Sequence, residues 1–63
     1  MKKLRFDITE ETVRINKVDF RLFRLKLGRL RKNAMVPVAE LTDAARMQAR
    51  DRLSNWAYAQ RHF

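Results

Sequence analysis

Sixty-three residues without a cysteine make one domain at most, with a small core and neither a disulfide nor a thiolate metal site to reinforce it. Fifteen Lys and Arg against seven Asp and Glu set a net charge of +8, which points to a polyanionic partner. A single histidine, His62, gives no basis for nucleophile–His catalysis or His/Cys metal ligation, so no enzyme, metal or cofactor is expected.

The charge is uneven along the chain. Residues 1–32 hold eleven Lys and Arg against four acids, whereas residues 33–63 hold four Arg against three acids. The N-terminal half is therefore the expected contact surface, and the C-terminal half the expected scaffold or dimer interface. Self-association is a common remedy for a small core, and a homodimer is expected. No stretch approaches the roughly 18 apolar residues of a membrane span. Met1–Asp7 has basic residues without the apolar run of a signal peptide, so a cytoplasmic location is expected.

In chain order, Leu4, Phe6 and Ile8 alternate with Lys3, Arg5 and Asp7, the period of a half-buried strand. Two continuations compete. Glu10-Glu11 is a turn leading to a second strand, Thr12–Ile15, or Thr9 caps a helix whose first turn holds both acids. The hairpin is preferred, although Glu-Glu is poor turn chemistry.

Asn16 then reads as the N-cap of a first helix, about 17–32, with Asp19 at N3 and a staple between Ile15 and Phe20. Phe20–Lys32 holds six basic residues, six large apolar residues and one glycine, with no acid. At helical spacing Phe20, Phe23, Leu27 and Leu30 form a stripe, and Arg21, Arg24, Arg31 and Lys32 form a neighbouring basic arc that includes Gly28. Residues 33–36 read as a break, and Pro37 suits a first helical position. A second helix is expected over about 38–61. Val38, Leu41, Ala45, Ala49, Leu53, Trp56, Ala59 and Phe63 form its apolar arc, with Arg52 intruding.

The expected fold is thus a small α+β domain: an N-terminal strand or hairpin over about 3–15 followed by two helices, dimeric. Lys3–Glu11 resembles the opening of ribbon-helix-helix DNA-binding proteins, and Met35–Ala45 resembles the start of their second helix. The resemblance implies a strand that pairs with its twin in a dimer, with Lys3, Arg5 and Asp7 facing the major groove. The segment between strand and Pro37 is about twice what that family's first helix needs.

The functional expectation is a small DNA-binding protein, a transcriptional regulator or architectural protein, that contacts duplex DNA through Lys2, Lys3, Arg5, Arg21, Arg24, Arg29, Arg31 and Lys32. Phosphate contacts need Lys and Arg on a rigid surface, and Arg also makes bidentate contacts to guanine edges. The alternative is a protein-binding module or inhibitor that docks its basic face on an acidic partner. RNA binding and a membrane-surface helix at residues 20–32 are weaker readings.

Overall fold

The computed structural model describes residues 5–60 and holds one three-stranded antiparallel sheet and one helix. The strands are β1 (Asp7–Ile15), β2 (Val18–Leu27) and β3 (Leu30–Pro37), ordered β1-β2-β3. A 3₁₀ turn, Val38–Glu40, leads to helix α1 (Asp43–Ala59).

This overturns the expectation of one strand or hairpin followed by two helices. The segment read as the first helix is β2, the next turn and the start of β3. The reason lies in Phe23-Arg-Leu-Lys-Leu27, which alternates strictly. Phe23, Leu25 and Leu27 are buried on one face, while Arg24 and Lys26 are exposed on the other. Phe20 and Leu22 belong to the opposite face, so both faces are apolar where the two sets meet. That overlap imitates helical spacing.

The turns settle the topology. Asn16 and Lys17 join β1 to β2 with φ of 50° and 66°, the left-handed pair of a type I′ hairpin. Asn16, expected as a helix cap, is therefore a turn residue that tolerates this conformation. Glu10-Glu11 is no turn: both residues lie within β1, paired with Phe23 and Leu22. Gly28 has φ +60° at the first central position of the two-residue turn between Leu27 and Leu30, where a type II′ hairpin requires glycine.

Both turns make a prediction. A Cβ at Gly28 meets nothing within 4 Å, so Gly28→Ala carries only the backbone penalty, a loss of about 1 kcal/mol. Lys17, at φ 66°, already carries that strain, so Lys17→Gly relieves it and should gain about 1 kcal/mol. Urea melts of the two variants should shift in opposite directions.

The C-terminal helix is shorter than expected. Pro37 ends an edge strand, a position where its missing N–H does no harm. Thr42 is the true cap, its Oγ1 accepting from the Ala45 N–H at 3.0 Å. The helix runs without interruption past Arg52, which is exposed. Ala49, Leu53 and Ala57 are buried against Phe23, Leu25 and Leu27, and the small alanines let helix and sheet approach closely. Phe6, Ile8, Leu30, Ala34, Val36, Leu41 and Trp56 pack around this core, with the Phe6 ring edge-on to Tyr58 at 5.8 Å. Ala59, expected in the apolar arc, is exposed, and Phe63 lies outside the described residues.

The ribbon-helix-helix expectation falls with the second helix. Its strand was to pair with a twin, whereas β1 pairs along its whole length with β2 of the same chain. The helix covers one face of the sheet and leaves the other open.

Candidate nucleic-acid interface

Strand alternation sorts the basic residues between the two faces. On the open face, Lys26 of β2 stands between Asp7 of β1 and Arg31 of β3. In the next row Arg24 stands between Thr9 and Asn33. Thr9, Arg24, Lys26, Arg31 and Asn33 line a shallow depression of about 360 Å³. A second hollow, about 720 Å³, shares Lys26 and Arg31 and extends to Arg5 and Tyr58 at the molecular edge. Arg29 occupies the tight β2–β3 turn beside this surface and is exposed.

The electrostatics of these rows are unusual for a sheet. Lys26 and Arg31 are direct cross-strand partners of like charge, an arrangement that destabilises pairing. Asp7 shares their row, yet among the described residues no carboxylate lies within ion-pair distance of Lys26, Arg29 or Arg31. Arg31 instead donates from Nη1 to the carbonyls of Gly28 at 2.9 Å and Leu30 at 3.2 Å, which fixes its guanidinium over the turn. Arg24 is steadied by Glu11 at 3.2 Å, an exposed pair that contributes little energy.

The expected contact residues do not share one surface. Arg24 and Arg31 are on the open face, with Arg5 at its edge and Arg29 in the turn. Arg21 and Lys32 lie on the helix side of the sheet, because they fall in register with the core residues Phe23 and Leu25. Lys32 places its Nζ 6.0 Å from the Trp56 ring centroid, a cation–π position. Lys2 and Lys3 lie outside the described residues. The helical arc missed Lys26, Thr9 and Asn33. The signal for Lys26 was its alternation with Leu25 and Leu27; Thr9 and Asn33 become visible only through the register.

Arg21 joins a cluster centred on Glu10 of β1, whose side chain is 13% exposed. Arg46 of α1 grips both carboxylate oxygens, Nε to Oε1 at 2.9 Å and Nη2 to Oε2 at 2.6 Å. Arg50 donates to Oε2 at 2.6 Å, and Arg21 Nη1 lies 3.5 Å from Oε1. Sequence reading placed Glu10 in a turn or at a helix start and so missed this link between β1 and α1. The hydrogen bond from Arg46, with its charge and the contribution of Arg50, outweighs desolvation and holds the Glu10 carboxyl below its ordinary value of 4.5.

A depressed folded-state pKa gives stability that is present above the unfolded value and is lost as pH falls through the folded one. The domain should therefore weaken progressively below about pH 4.5. Glu10→Gln should lose about 2 kcal/mol at neutral pH, the scale of hydrogen bonds to a charged group, and should flatten the acid limb of stability. Chemical melts from pH 3 to 7 measure both effects.

Among the described residues no helix is long and apolar enough to cross a membrane, and no cluster of His, Cys, Asp and Glu is placed to hold a metal ion. The chain matches no family model, no curated protein and no solved structure.

Proposed function

We propose that this chain is a small duplex-DNA-binding domain, a regulator or architectural protein without enzymatic activity, that lays the open face of its sheet on the nucleic acid. The observation that carries this reading is the opposed Lys26–Arg31 pair, flanked by Arg24 and Asn33, on the sheet face opposite helix α1. Folding alone disfavours two cations side by side, whereas a polyanion draws affinity from them through phosphate contacts and counterion release.

The chemistry favours a duplex. The major groove, about 12 Å wide, admits a two-stranded ribbon, and the cations lie on adjacent strands, β2 and β3. Arg and Asn carry the donor and acceptor patterns that read guanine and adenine edges. Arg5 and Arg29 stand at the margin of the face, where phosphates pass. The exposed large apolar residues on this face favour the second reading, a protein partner: Met35 lies in the row next to Arg24 and Asn33, and Ile15 and Val18 lie at the far end of the face.

Fluorescence anisotropy with random duplex DNA, single-stranded DNA and duplex RNA at two ionic strengths separates these readings. Preferential, salt-sensitive duplex DNA binding is the expected result, and its stoichiometry tests the expected homodimer. Absence of binding to all three at low salt would overturn the reading and direct the search to an acidic protein.

A further inference from the structure

We infer that Arg21, Arg46 and Arg50 form a binding site for a phosphate group on the helix side of the sheet, separate from the open face. One arginine suffices to hold a carboxylate in a bidentate grip, and Arg46 already does so with Glu10. Arg50 and Arg21 are then in excess. Arg21 Nε is buried and has no hydrogen-bond partner, the single such side-chain atom among the described residues. Its Nη1 contact with Glu10, at 3.5 Å, is long.

Arg46 and Arg50 also stand four residues apart on α1, where like charges repel. Glu10 faces the cluster from β1, and Asp43 acts on Arg46 from the first turn of α1. Two acids thus meet three guanidiniums, leaving a positive charge. Thr12 of β1, the cross-strand partner of Arg21, adds a hydroxyl. The guanidiniums lie over Glu10, their side chains 31%, 52% and 39% exposed for Arg21, Arg46 and Arg50. Glu10 acts as the organiser that holds them together. A tetrahedral phosphate offers several acceptor oxygens to such forks, and Arg recognises it bidentately.

Thermal melts in inorganic phosphate against chloride at matched ionic strength test the site. Phosphate also stabilises folded proteins generally, by exclusion from their surfaces, so wild type is compared with Arg21→Lys and, separately, Arg50→Lys. The expected result is a rise of about 5 °C in wild type beyond that in either variant. An equal rise in all three proteins would overturn the site. A parallel duplex DNA titration identifies the source of the group. A loss of about tenfold in Arg21→Lys assigns it to a nucleic-acid backbone, and an unchanged affinity assigns it to a free phosphate or phosphate monoester. The thermal comparison does not depend on DNA binding, so the site stands or falls independently of the proposed function.

Discussion

Phe23→Ala is expected to unfold the domain. Phe23 is wholly buried at the centre of β2, with Glu10 beside it on β1 and Ala34 on β3. Among the described residues it belongs to a cluster of six buried ones, in which Leu25 and Leu53 are the other fully buried large side chains. Truncating such a phenylalanine costs about 3–5 kcal/mol, through lost transfer energy and the cavity left behind. A small domain commonly holds little more than about 5 kcal/mol in total. Neighbouring Ala34, Ala49 and Ala57 have no longer side chains with which to fill the space. Far-ultraviolet circular dichroism and urea melts check the outcome. A variant that retains a cooperative transition within about 1 kcal/mol of wild type would show that the core lies elsewhere.

Lys26→Gln and Arg31→Gln are expected to move stability and binding in opposite directions. Each removes one member of a like-charged cross-strand pair, so each should stabilise the sheet by a few tenths to about 1 kcal/mol. The Arg31 substitution forfeits part of that gain, because its guanidinium also bonds the carbonyls of Gly28 and Leu30. Duplex affinity should fall about tenfold for either substitution and about a hundredfold for the pair, as expected for removing phosphate or base contacts. Melts and anisotropy on the same samples provide the check. Loss of binding together with loss of stability would mean that these cations serve the fold.

The β-character of the N-terminal segment was legible. The β-branched Val13 and Ile15 share a face of β1, but the alternation of Leu4, Phe6 and Ile8 with Lys3, Arg5 and Asp7 points to a strand from about residue 3, whereas β1 begins at Asp7 and leaves Arg5 and Phe6 outside it. The extent of that strand was not legible, because Glu10-Glu11 reads as a break until Arg46 and Arg50, 36 and 40 residues from Glu10, are seen to pair with Glu10, and Arg24 with Glu11. The decisive misreading was at Leu22–Phe23. There the apolar set changes faces, and a helical stripe of Phe20, Phe23, Leu27 and Leu30 fits as well as two strand faces do. Gly28 was the available correction: a nuisance in a helix interior, it is the residue a II′ turn needs. In the C-terminal helix Ala49, Leu53 and Trp56 were visible from spacing alone, while its start awaited the cap at Thr42.

The basic character of residues 20–32 was plain from composition, but its division between two faces was not. Strand geometry sends Arg24, Lys26 and Arg31 to the open side, and Arg21 and Lys32 to the side of the helix. One apparent basic arc is thereby two separate groups with different neighbours. Arg21 meets a carboxylate and Lys32 an aromatic ring, whereas Lys26 and Arg31 face solvent together.

The salt dependence of duplex DNA binding reports whether the open face is the contact surface. Wild type is compared with the triple variant Arg24→Gln/Lys26→Gln/Arg31→Gln, with Arg52→Gln, an exposed arginine of α1 beside β3, as the charge control. The slope of log K against log salt is expected to be shallower by about 2 to 3 in the triple variant and nearly unchanged in the control. A triple variant that remains folded and keeps both the affinity and the slope of wild type would contradict the assignment of the open face.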